Sequence, residues 1–217
     1  MKAAAIWLTF LACTLTGCAG FRGGWDSVAY IGDAPPSPIE PATSAYERNQ
    51  RPPLSLPGMS LHVSIDNRVR DYDTQVWFFA VPVKVDPRNV QTSVAAPGKT
   101  RVRLAITPTQ PGLVFSPQQA VLTFGGRTYQ AVAGHEFGQF AVDQSRPAQW
   151  EYREVPTDMP LHSVQEQYLL SIDFDAPSPS PEAPDITIDL SRALLAAGLA
   201  EVPLIRFVPV RWKEGST

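Results

Sequence analysis

Cysteine is almost absent from this sequence. Two occur in 217 residues, Cys13 and Cys18, and both sit near the N-terminus. Everything downstream must therefore hold together by its core alone, without a disulfide. No zinc cluster of the Cys/His kind can be assembled from such a chain. Histidine is scarce too, with only His62, His135 and His162. His135 opens His-Glu-Phe-Gly, which lacks the second histidine four residues on that a helical zinc-protease motif requires. All three histidines read as surface or loop residues. Charged residues make up 18% of the chain, the formal net charge is −3, and no basic block is present. That removes the main reason to expect a nucleic-acid partner. There is no Gly-x-Ser-x-Gly elbow, and no helix follows Gly125-Gly126 to make it a phosphate cradle. Nothing implies a cofactor.

Proline, by contrast, is abundant. The chain has 22, about twice the usual share of roughly 5%. Proline breaks helix interiors, so this frequency predicts many short elements joined by turns.

The N-terminus has its own pattern. Lys2 supplies a positive charge, and Ala3 to Leu15 is an apolar run of 13 residues. A helical span needs about 20, so this run fits a cleaved export signal over residues 1–17. An ordinary signal peptidase would want a small residue three positions before the cut, where this chain has Leu15. Leu15-Thr16-Gly17-Cys18 resembles the lipobox of bacterial lipoproteins, Leu-(Ala/Ser/Thr)-(Gly/Ala)-Cys. The resemblance covers residues 1–19 and implies a diacylglycerol on the Cys18 thiol, cleavage before Cys18 and acylation of the new amino group. Ala19, where enterobacterial lipoproteins retained in the inner membrane carry Asp, implies an outer-membrane destination, with the protein lipid-anchored on the periplasmic face. Several acyl chains together give stable anchoring.

Residues 18–57 read as a lipidated Pro-rich tether. Seven prolines fall there, from Pro35 to Pro57, with Phe21, Trp25, Tyr30 and Tyr46 scattered among them. Residues 58–217 then change to strand-like patterns. Leu61, Val63 and Ile65 alternate with polar His62 and Ser64, and Val102, Leu104 and Ile106 alternate with Arg101 and Arg103. Asp66 to Asp73 reads as a polar turn, and Thr74 to Val85 as a strand buried on both faces and interrupted by Pro82. Gln119 to Val132 carries a two-residue hairpin, because both central positions of a type I′ turn need φ > 0 and Gly125-Gly126 accepts it. Gln167–Phe174 and Asp185–Leu190 are further strands around the low-complexity loop 176–184. Ser191 to Ala200 predicts a short helix. In the last strand, Leu204 to Trp212, the apolar parity changes after Phe207, which predicts a β-bulge.

These elements predict an all-β fold: an antiparallel Greek-key, immunoglobulin-like β-sandwich behind the tether, with one short helix near the C-terminus.

Candidate chemistry is thin. Asp173 and Asp175, at i and i+2, are candidates for a calcium site or an acid/base pair, set against the polar face of a half-buried strand. Asp71/Asp73 is a second such pair. Trp77, Trp150 and Trp212 read as core or sheet-covering residues rather than a sugar platform. The expected function is an outer-membrane-anchored lipoprotein acting as a non-enzymatic interaction module for an envelope protein, in assembly or secretion. The alternatives are an envelope hydrolase using His135 or Asp173, and a carbohydrate- or ligand-binding lipoprotein using an exposed tryptophan.

Overall fold

The computed structural model describes residues 18–35, 39, 51–77, 82–86, 90–91, 97–140, 149–196, 198 and 200–216. Among them the chain is all-β. Its strands in order are β1 (Cys18–Ile31), β2 (Leu54–Leu56), β3 (Met59–Ile65), β4 (Val69–Trp77), β5 (Pro82–Asp86), β6 (Val90–Gln91), β7 (Thr100–Pro108) and β8 (Leu113–Phe115). A 3-10 turn η1 (Pro117–Gln119) precedes β9 (Val121–Phe124), β10 (Arg127–Phe140), β11 (Gln149–Glu154), β12 (Met159–Leu161) and β13 (Tyr168–Phe174). The last three are β14 (Thr187–Asp189), β15 (Leu194–Ala196) and β16 (Ile205–Ser216).

Thirteen strands form one curled antiparallel sheet, ordered β2-β3-β7-β13-β10-β9-β14-β16-β1-β4-β5, with β11 added to β10 and β6 to β4. A three-stranded sheet, β12-β8-β15, packs with it. The core lies inside the curl. β3 contributes Leu61 and Val63, β7 contributes Leu104 and Ile106, β13 contributes Ile172 and Phe174, and β16 contributes Ile205 and Phe207. Leu113, Phe115, Leu161 and Leu194 of the small sheet join the same cluster. The alternation read from β3 and β7 is what the structure shows, with odd positions of β3 and even positions of β7 buried.

β10 is the hinge of the curl. Its first residues pair with β9 across the hairpin, where Gly125 and Gly126 have φ of +57° and +72°. Its later residues pair with β13, and a register shift between Ala131 and Ala133 marks a bulge. That extra residue switches which parity faces outward, so His135, Phe137 and Gln139 come to the outer face. The bulge expected in the last strand is not there: β16 pairs β1 in unbroken register from Ile205↔Ile31 to Ser216↔Gly20. The parity change is real but has another cause. Ile205 and Phe207 enter the main core, whereas Val210 and Trp212 are buried on the opposite parity. There the Arg68 guanidinium lies 3.5 Å from the Trp212 ring centroid.

Three other expectations change. The spacer over 18–57 does not begin as one, because Cys18–Ile31 is β1, zipped between β16 and β4. The prolines explain this: none precedes Pro35, so nothing in 18–34 forbids a strand. The run from Thr74 to Val85 is divided between β4 and β5, which pair antiparallel with Asp73 opposite Asp86; residues 78–81 lie outside the described residues. The polar turn before it is correspondingly short, since β4 already begins at Val69.

Among the described residues the helix expected over Ser191–Ala200 is absent as well. Ser191 N–H donates to Asp189 Oδ1 at 2.9 Å, and Leu190 C=O accepts from both Ala193 and Leu194. One turn closes, and Leu194–Ala196 then pairs with β8. A lone turn costs too much backbone entropy to propagate, and pairing that buries Leu194 wins over local propensity.

Candidate functional site

The outer face of β7, β13, β10 and β11 gathers most of the chemistry-bearing side chains. Cross-strand register builds it directly. Arg101 stands opposite Asp173, Arg103 opposite Ser171, Ser171 opposite His135, and His135 opposite Glu154. One position along, Leu169 faces Phe137 and Phe137 faces Tyr152, with Trp150 opposite Gln139 beyond them.

The polar half is organised by one ion pair. Arg101 donates through Nε to Asp173 Oδ1 at 2.6 Å and through Nη2 to Asp173 Oδ2 at 2.8 Å. This bidentate geometry raises the Arg101 pKa above its ordinary value, chiefly through the hydrogen bonds to Asp173 and against the effect of burial. His135 Nδ1 is 3.9 Å from Asp173 Oδ2, too far for a hydrogen bond. Ser171 is buried, and neither its Oγ nor His135 Nδ1 has a hydrogen-bond partner among the described residues. Serine, histidine and aspartate thus share a face without the contacts that would make serine a nucleophile. Asp173 is committed to Arg101, and the serine hydroxyl is closed to a substrate.

Asp175 does not join Asp173. It lies beyond the end of β13, exposed, with Lys99 Nζ 3.5 Å from its Oδ1. The two candidate carboxylates are held by different cations. Among the described residues no group of three or more His, Cys, Asp or Glu could hold a metal ion. His162 is exposed after β12, and His62 lies half-buried on β3, where burial first and then the Arg51 charge lower its pKa. Cys18 is the first residue of β1, its backbone opposite Trp77. Asp73 and Trp77 have backbones in β4, and their side chains fall outside the described residues.

The aromatic half is the more exposed. Phe137 and Trp150 stack with centroids 5.1 Å apart, and Phe137 meets Tyr152 at 4.7 Å. Trp150 is 59% exposed and Tyr152 48%. Arg101 caps Tyr152 from one side at 5.3 Å, and Arg153 lies 3.9 Å from the Phe140 ring. No protein-family model matches the chain, and neither the curated proteins nor the solved structures yield a match. This face must speak for itself. Chemically it offers flat apolar area flanked by guanidinium groups.

The expectation for tryptophan is therefore divided. Trp212 is buried, whereas Trp150 is a surface platform. The hairpin expected over Gln119–Val132 continues eight residues further, to the end of β10 at Phe140. The alternation of His135, Phe137 and Gln139, answered by Trp150 and Tyr152, was the available signal.

Proposed function

We propose that this protein is an outer-membrane lipoprotein, anchored through lipid on Cys18, which acts as a non-enzymatic interaction module for another envelope protein at the periplasmic face. The observation that carries the interaction half is the exposed cluster of Phe137, Trp150 and Tyr152 on one sheet face. Aromatic and arginine side chains are the residue types that dominate binding energy at protein interfaces. The lipobox Leu15-Thr16-Gly17-Cys18 supports the anchor. A Greek-key, immunoglobulin-like sandwich is part of the same reading, supported by neighbours far apart in sequence, such as β16 between β14 and β1.

The test uses the acylated protein in its own envelope. A photo-reactive residue replacing Trp150 should give a discrete cross-linked adduct that the same probe at exposed Arg127 does not. Failure of position 150 to give any adduct, in a protein that is folded and membrane-bound, would reject the interaction face.

A second reading has one observation in its favour. Trp150 lies against Phe137 at an interplanar angle of 27° and is 59% exposed, an indole surface of the kind on which sugar rings stack. Quenching of tryptophan fluorescence by envelope saccharides, lost in Trp150→Ala, would favour that reading over a protein partner.

A further inference from the structure

The curl of the sheet leaves an opening between β1 and β3. β4 covers β1 only as far as Trp25, and β2 covers β3 only over Met59–Leu61. Among the described residues, positions 26–31 and 62–65 therefore pair on one side only, with β16 and β7 respectively. These half-paired edges border a cavity of about 390 Å³, within the range of roughly 300–1,000 Å³ usual for small-molecule sites.

The cavity lining is unlike the rest of this charge-poor chain. Arg51, Arg68 and Arg103 line it against Asp26 and Asp66, with His62 among them. Arg103 Nη2 donates to Asp66 Oδ2 at 2.9 Å, so one of the two carboxylates is already neutralised. Arg68 is fixed by Glu214, at 3.1 Å, and by the Trp212 ring. Ser27 and Ser64 add hydroxyls, and Asn67 Nδ2 donates to Ser27 Oγ at 2.8 Å. Guanidinium groups match the planar forks of carboxylate and phosphate, and partial enclosure strengthens such hydrogen bonds over their value in water.

We infer that the cleft between β1 and β3 is a binding site for a small ligand bearing an oxyanion, a carboxylate or a phosphate, gripped by Arg51 and Arg103 beside His62. His62 titrates below its ordinary value first because it is buried and then because of the Arg51 charge, and Arg103 Nε is buried without a hydrogen-bond partner among the described residues. An anion seated there would offset the charge of Arg51, with Arg68 and Arg103 on the same side of the balance and Asp26, Asp66 and Glu214 opposing it. His62 would then titrate nearer its ordinary value. The site stands on different residues from the aromatic face and does not depend on the anchor.

The experiment titrates the full chain with inorganic phosphate and, separately, with succinate, following the arginine Nε–Hε and His62 ring signals by NMR. The expected result is saturable binding of at least one probe, with shifts at Arg51 and Arg103 and a rise in the His62 pKa. Saturation by phosphate alone assigns phosphoryl ligands, and by succinate alone assigns carboxylates. Arg51→Gln should weaken binding at least about tenfold, the loss of one charge-assisted contact, whereas Arg127→Gln on the hairpin should leave it unchanged. No saturable binding of either probe below about 10 mM, a concentration that already marks a very weak site, would overturn the inference, as would equal weakening by Arg127→Gln. If Arg51→Gln fails to fold, the wild-type titration decides: a His62 pKa unmoved by both probes overturns the site.

Discussion

Arg101 holds both carboxylate oxygens of Asp173 across two neighbouring strands, at 2.6 and 2.8 Å. The pair sits on the outer face of the sheet yet is largely covered, with side chains 18% and 10% exposed. Asp173→Ala should therefore destabilise by about 2–4 kcal/mol, because it leaves a partly buried guanidinium without its partner. Replacing both residues, Arg101→Met with Asp173→Leu, should recover much of that loss. Urea melts of the two variants check this, and equal loss in both would mean that the pair matters through packing alone.

The hairpin supplies a second prediction. Gly126 has φ of +72°, a region that β-branched residues resist. Gly126→Val should cost roughly 1–3 kcal/mol, read as a lowered midpoint in thermal or urea unfolding.

Gly134 is constrained by space rather than by dihedral angle. A Cβ there would lie 2.3 Å from Cβ and Cγ of Pro117, on the turn that packs against β10. A proline ring cannot rotate away, so Gly134→Ala should destabilise by about 1–3 kcal/mol through overpacking. Pairing it with Pro117→Ala should return part of the loss, a coupling that a double-mutant cycle measures.

The pH dependence has a definite sign at His62. Its folded pKa lies below the ordinary histidine value of about 6.5 because of burial and the Arg51 charge. The unfolded chain therefore binds the proton more readily. The stability linked to neutral His62 is complete above the unfolded pKa and is lost as pH falls through the folded one. Urea midpoints for wild type should drop between neutral and mildly acidic pH more than those of His62→Gln. Identical profiles would reject the shift.

Cys18→Ala tests the anchor. Metabolic labelling with an alkyne fatty acid should mark the wild-type protein and leave the variant unlabelled, and label retained on the variant would reject lipidation at Cys18.

The strands legible in advance were those with one clean parity. β3 and β7 are half-buried along their whole length, so Leu61, Val63, Leu104 and Ile106 announce their faces. What escaped was everything decided by distant partners. β15 lies in a stretch of good helix formers and becomes a strand because β8 is there to receive Leu194. β16 changes its buried parity without changing register, since one sheet face meets the main core and the other meets Arg68. Of the candidate site, His135 and Asp173 were visible as residue types. Arg101 appeared only as an outward-facing charge, and the platform of Phe137, Trp150 and Tyr152 required knowing that β11 pairs with β10.

β1 starts at Cys18, and its pairing with β16 runs from Gly20 to Ile31. If the lipid sits on Cys18, no slack separates the membrane from the folded sheet. A pull on the anchor then travels along the strand axis, loading those cross-strand contacts together in shear instead of peeling them one by one. Such a joint yields only when the sheet itself gives way, at a rate set by unfolding and not by the equilibrium stability. With a lipid on Cys18, the same stitching would fix which way the body leans against the bilayer. Orientation, rather than reach, becomes the quantity that the anchor controls.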